Sequence, residues 1–276
     1  MAKLALCIGI NNYPGTDMDL AGCVNDANDW AALLTSRGFR ADTLLDAQAT
    51  KAGMVAGFQR VIGQAVDGDV VVITFSGHGT YEFDTDGDED DGFDEALCPY
   101  DVQTNDAVLT DDEIHALLKA RKDGVKLVLI SDSCHSGTVN RAIVRADNAA
   151  RPRFMPPENW MSRRHLSTQI ADKPRRAELT HVGASAFARD DVDLGEVLLA
   201  GCEEGENHFS YDANVAGRPN GAFSYYALKA LKTLPDTATY ADWHAAITPD
   251  CLPTMAYTQT PQIVGSPAAR NRKIFS

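Results

Sequence analysis

Lys126-Leu127-Val128-Leu129-Ile130-Ser131-Asp132-Ser133-Cys134-His135-Ser136-Gly137 decides the fold. Its apolar run shows no polar alternation, which fits a strand buried on both faces. The run stops abruptly in small polar residues around one cysteine. Open α/β sheets place ligand crevices at that end of a strand. Asp69-Val70-Val71-Val72-Ile73-Thr74-Phe75-Ser76-Gly77-His78-Gly79 has the same pattern and ends in a histidine between two glycines. The chain between the two runs has room for one crossover helix and a loop, so the strands are expected side by side.

The chemistry of the pair follows. A free thiol with a pKa of about 8.5 is mostly protonated at neutral pH, and the thiolate is the nucleophile. An imidazole nearby takes that proton. Gly79 lets a backbone N–H approach a reacting carbonyl oxygen. The N–H of Cys134 offers a second donor, and the two together suit an oxyanion hole. His135 competes with His78 as base, but it adjoins the nucleophile and is expected to point elsewhere. A buried structural Cys with a capping His is the alternative reading.

Ser76-Gly77-His78-Gly79 followed by Asp132-Ser133-Cys134-His135-Ser136-Gly137 resembles the metacaspase and orthocaspase branch of the caspase-like cysteine peptidases. The resemblance starts at Leu6-Cys7-Ile8-Gly9-Ile10-Asn11 and continues in Gly22-Cys23-Val24-Asn25-Asp26-Ala27. It returns in Asp91-Gly92-Phe93-Asp94-Glu95, Leu109-Thr110-Asp111-Asp112-Glu113 and Gly221-Ala222-Phe223-Ser224-Tyr225. Only residues 141–195 stand apart. True caspases differ, because their Q-A-C-x-G box would put Gln where Asp132 stands.

The resemblance implies a caspase-like three-layer α/β/α sandwich around a mixed, mainly parallel sheet. It implies an endopeptidase cutting protein or peptide substrates after Arg or Lys, with Cys134, His78 and Gly79 as catalytic residues. The acidic pocket for the basic side chain maps to Asp26 and Asp132, lined by Cys23 and Ser76. Two carboxylates repel in an empty pocket, and a guanidinium relieves that while hydrogen bonding to both. The family's calcium positions match at Asp94, Asp111 and Asp112. The position seven residues after the nucleophile is Arg141, which cannot coordinate a hard cation. No cofactor is therefore expected to be required, with calcium binding left as an alternative. A catalytically silent scaffold, or another cysteine hydrolase on the same sheet, remains the alternative function.

Composition bounds these readings. The chain has 276 residues with 44% hydrophobic content, enough for one large domain with a sizeable core. It divides into a catalytic part (1–140), a basic insert (141–195) and a smaller part (196–276). The net charge of −14 argues against nucleic-acid binding. No run approaches a membrane span, and the start of the chain lacks a signal-peptide pattern. Six scattered cysteines without a C-x-x-C pair fit a reducing cytoplasm rather than a disulfide framework. A monomer is expected.

Along the chain, strands are expected at Leu4–Ile10, Phe39–Leu45, Glu196–Cys202 and Pro261–Val264. Helices are expected at Leu20–Ser36, 51–66, 222–231 and 240–247. Thr110 with Glu113 reads as a capping box opening a helix to about Ala120. Eight of the twelve residues from Asp84 to Glu95 are acidic, but Glu89 sits where an EF-hand loop needs Gly. A solvated acidic loop is the simpler reading. Cys202 is expected in the core or at its edge. Residues 141–176 hold nine Arg or Lys with several prolines. They read as an exposed loop, and as a place where an active enzyme cuts itself, after residues such as Arg153, Arg164 or Arg176.

Overall fold

A computed structural model describes residues 1–83, 93–105, 107–134, 150–164, 166, 196–202, 209–251 and 259–276. Its centre is a six-stranded sheet. The strands are β1 (Lys3–Gly9), β2 (Arg40–Leu45), β3 (Val70–Ser76), β7 (Lys126–Asp132), β9 (Val197–Ala200) and β12 (Gln262–Val264). Their order is β12-β9-β7-β3-β1-β2. All neighbours are parallel except β12, which runs antiparallel at the edge. This is the mixed, mainly parallel sheet of a caspase-like sandwich. Strands from both ends of the sequence share it.

The continuous apolar runs exist because both faces are covered. Leu4, Leu6 and Ile8 of β1, with Val71, Ile73, Leu127 and Leu129, face the helices Lys51–Gln64 and Asp111–Lys119. Ala5, Cys7, Val70, Val72, Val128 and Ile130 face the helices Cys23–Ser36, Ala222–Leu231 and Tyr240–Cys251. Every residue of β3 is buried. Thr110 accepts from the Glu113 N–H while the Glu113 carboxylate accepts from the Thr110 N–H, so the expected capping box opens its helix.

Two small sheets were not anticipated. One joins β4 (Gly79–Phe83), β5 (Phe93–Leu97) and β6 (Leu109–Thr110). The other joins β8 (Ala150–Pro152), β10 (Tyr211–Val215) and β11 (Arg218–Gly221). The β10–β11 hairpin turns through Ala216 and Gly217, both at positive φ, 53° and 85°. That suits the right-handed twist of a two-residue hairpin. The expectation of an exposed basic insert fails in part: Arg151, Arg163 and Arg164 are exposed, but Arg153, Phe154, Met155, Trp160 and Met161 are buried. Among the described residues no helix is long and apolar enough to cross a membrane.

The hairpin register places Asp212 opposite Gly221, so the turn helps set the geometry described next. Gly217→Ala would put a Cβ at left-handed φ, and urea unfolding should show a loss of about 1–2 kcal/mol.

Candidate active site

The ends of β3 and β7 lie in register, Ser76 beside Asp132. The chain leaving β3 carries Gly77, His78 and Gly79; the chain leaving β7 carries Ser133 and Cys134. Asp26 enters from the first turn of the helix Cys23–Ser36. Asn11, just past β1, fixes that turn: its Oδ1 accepts from the N–H groups of Cys23 and Val24 at 2.8 and 3.1 Å. The site thus gathers at the C-terminal ends of β1, β3 and β7, as the topology rule expects.

A residue from the basic segment occupies this crevice. Arg153, fully buried, sends its guanidinium between three carboxylates. Nη2 donates to Asp26 Oδ2 at 2.7 Å and to Asp212 Oδ1 at 3.0 Å. Nη1 lies 3.1 Å from Asp132 Oδ2 and donates to Ser76 Oγ at 2.8 Å and to the Asp132 carbonyl at 3.2 Å. The carboxylates are themselves fixed. Asp26 accepts from Ser76 Oγ, Asn220 Nδ2 and the Gly221 N–H. Asp132 accepts from Ser210 Oγ and the Ser224 N–H, and Asp212 from the N–H groups of Ala21 and Gly22. Residue 221 must be glycine for this approach, since a Cβ there would lie 2.1 Å from Asp132 Oδ2 and 2.5 Å from Arg153 Nη1.

The backbone of the same residue is docked too. The Arg153 carbonyl accepts from the N–H groups of Gly79 at 2.9 Å and Cys134 at 3.2 Å. The Arg153 N–H donates to the Ser210 carbonyl at 2.8 Å. Upstream, Ala150–Pro152 pairs antiparallel with β10, and downstream the Met155 N–H donates to the Gly79 carbonyl at 2.9 Å. A segment of this chain therefore lies through the crevice as an extended peptide, with one carbonyl on two convergent donors.

The histidine ring is oriented by its far nitrogen. Nε2 meets the Met18 carbonyl at 2.6 Å, which assigns the proton to Nε2 because a carbonyl only accepts. Nδ1 is buried without a hydrogen-bond partner among the described residues. The Tyr13 ring lies 4.9 Å away, and its hydroxyl accepts from the His78 N–H at 2.8 Å. The Cys134 thiol donates to the Ser210 carbonyl at 3.3 Å and accepts from the Ser210 N–H, while the Cys202 thiol donates to the Ser133 carbonyl at 3.6 Å. Cys23 is buried beneath the pocket, and burial pushes its thiol well up.

A family model described as metacaspase, peptidase C14 domain, matches residues 3–142. This chain belongs to the metacaspase family. Metacaspase-1A of Neurospora crassa is 30% identical to it, over 96% of this chain and 63% of its own length. Metacaspase-1 of Mycosarcoma maydis is 32% identical, over 96% of this chain and 70% of its own. The chain thus spans a little under two thirds of the Neurospora metacaspase. Among solved structures, protein GSU0716 from Geobacter sulfurreducens matches all of this chain and 99% of its own, with a TM-score of 0.70 and 31% identity.

The residues that match the family's calcium pattern lie on the small β4–β5–β6 sheet and the helix that follows it. Asp94 is on β5, while Asp111 and Asp112 open the helix Asp111–Lys119. Pairing of Ala96 with Thr110 brings these stretches to one end of the small sheet. Among the described residues, no group of three or more His, Cys, Asp or Glu is arranged to hold a metal ion. Arg141, His135 and the acidic residues 84–92 lie outside the described residues.

Reading the sequence missed Asp212, Ser210, Asn220 and Met18, and the identity of the occupant. A signal existed for Asp212: Tyr211 to Val215 alternates before a Gly-containing turn.

Electrostatics set two opposed pH slopes. Burial pushes the Asp26 carboxyl up to about 6, against the pull of Arg153. Its contribution to stability is therefore present below the ordinary 3.8 and lost as pH rises through about 6. Burial pulls the His78 imidazole down to about 4. Its contribution is present above the ordinary 6.5 and lost as pH falls through about 4. In a Cys134→Ala background, the Tm change on adding His78→Gln should be less unfavourable at pH about 4.5 than at about 7.5, and that on adding Asp26→Asn less unfavourable at about 7.5 than at about 4.5. Parallel pH profiles for all three proteins would contradict these assignments.

Proposed function

We propose that the chain is a cysteine endopeptidase cutting after Arg in preference to Lys. The observation that carries this reading is Arg153, whose side chain is paired with three buried carboxylates while its carbonyl accepts from Gly79 and Cys134. Such a pose is what a scissile residue needs. Donors aimed at the carbonyl oxygen stabilise the charge that develops there. An arginine fork reaches Asp26, Asp132 and Asp212 at once. A lysine ammonium is a single point charge and cannot span them.

In this mechanism the Cys134 thiol gives its proton to His78 Nδ1, and the sulfur attacks the P1 carbonyl carbon. The oxyanion is held by the N–H groups of Gly79 and Cys134. His78 then protonates the leaving amine, and a water activated by Nδ1 hydrolyses the thioester. The Met18 carbonyl keeps the proton on Nε2, which leaves Nδ1 unprotonated to act as the base. In the occupied state the imidazole is neutral at pH 7, which suits a base.

Purified protein should be assayed on short fluorogenic peptides ending in Arg, Lys or Asp. Arg peptides should be cut fastest. Cys134→Ala should abolish turnover, and His78→Ala should cost several orders of magnitude. Asp26→Ala or Asp132→Ala should lower kcat/KM at least about tenfold, since truncating one partner of a buried charge pair costs about 2–5 kcal/mol. Arg153→Ala should raise activity by emptying the pocket. A preference for Asp peptides would overturn the pocket assignment.

We also propose that calcium is dispensable, since Arg141 stands where the family pattern has a carboxylate. Chelator-treated protein should keep its activity, and a sharp rise from zero at micromolar to low millimolar calcium, on the scale of sensor and extracellular sites, would contradict this.

A further inference from the structure

Cutting a peptide bond normally lets the leaving half diffuse away. Here the half that begins at Phe154 is built into the body of the protein. Phe154 packs with Cys134 and Phe209 and stacks on Tyr81 at 6.0 Å. Met155 is completely buried in the main core, and its N–H is bonded to Gly79. Trp160 is buried and donates from Nε1 to Thr80 Oγ1 at 2.9 Å. None of these contacts depends on the bond between Arg153 and Phe154. The other half is held as firmly, by the three carboxylates and by pairing with β10.

Resting on the peptidase reading above, we propose that this site also ligates: the Arg153–Phe154 bond is opened and resealed in place. The Cys134 sulfur attacks the Arg153 carbonyl carbon, and the C–N bond to Phe154 breaks. The thiol proton passes through His78 Nδ1 to the Phe154 nitrogen, leaving a thioester and a free amine. In the reverse step that amine attacks the thioester, and the proton returns to sulfur. Water is not consumed, and the chain ends as it began. Two features favour the reverse step over hydrolysis. The amine is held beside the thioester, where effective molarities of order 10⁵ M or more are reached by well-oriented groups. Water is largely excluded, because His78, Cys134, Arg153 and Phe154 are all buried. The site therefore accepts an amine in the position that Phe154 fills, and the segment blocks the crevice without being used up.

The test is intact-mass spectrometry of wild-type protein incubated at neutral pH with and without hydroxylamine, a small amine nucleophile. In buffer alone the chain should stay mainly intact. With hydroxylamine it should split at least about tenfold more, into a fragment ending in an Arg153 hydroxamate and one starting at Phe154. Cys134→Ala should give neither. Met155→Ala or Trp160→Ala, by loosening the leaving half, should shift the product to a free Arg153 carboxylate without added amine. If either variant fails to fold, the hydroxylamine result on the wild type stands alone. Equal cleavage with and without hydroxylamine overturns the ligation, and so does absence of any hydroxamate. Arg-peptide cleavage by Arg153→Ala separates the two levels. If that variant is active and no hydroxamate forms, the ligation alone fails; if it is inactive, the peptidase reading fails as well.

Discussion

One guanidinium between three carboxylates organises this molecule. Burying an unpaired charge is prohibitively costly, and a buried pair holds only when geometry and hydrogen bonding are nearly complete. Asp26, Asp132 and Asp212 arrive from three distant parts of the chain, each oriented by backbone or side-chain donors. Without a cation they would face each other in a site closed to water. Burial raises the Asp26 carboxyl to about 6 despite the adjacent arginine. Removing the cation from such a cluster costs about 3–5 kcal/mol in comparable buried pairs. The pocket therefore demands an occupant, and in its resting form the chain supplies one.

The same demand explains where the occupant's backbone lies. With its side chain fixed, Arg153 can place its carbonyl only near the ends of β3 and β7. There Gly79 and Cys134 present their N–H groups. Pairing of β8 with β10 extends the fit upstream, and the core-bound Phe154 and Met155 extend it downstream. Recognition and self-blocking are thus one arrangement, because the determinants that would select a basic substrate are those that hold the internal segment.

Much of this was legible in the sequence. Buried parallel strands leave an unambiguous mark, so the ends of β3 and β7, with His78 and Cys134, could be placed next to each other. Asp26 and Asp132 followed from the family pattern. The rest was hidden for physical reasons. Arg153 sits among prolines and other basic residues, a composition that favours exposure; its burial depends on carboxylates far away in sequence, which no local pattern encodes. Asp212 lies on a five-residue strand whose turn uses Ala216 at positive φ in place of Asn or Asp, which weakens the hairpin signal. The small β4–β5–β6 sheet borders the acidic run, and its short strands carry little apolar pattern.

The central claim, that Arg153 fills the acidic pocket, is tested most directly by NMR of Cys134→Ala carrying isotope-labelled arginine. The account predicts one guanidinium whose Nη protons exchange slowly with water and whose signals disappear in the Arg153→Lys variant. A spectrum in which every arginine guanidinium exchanges at the rate of an exposed side chain would contradict it.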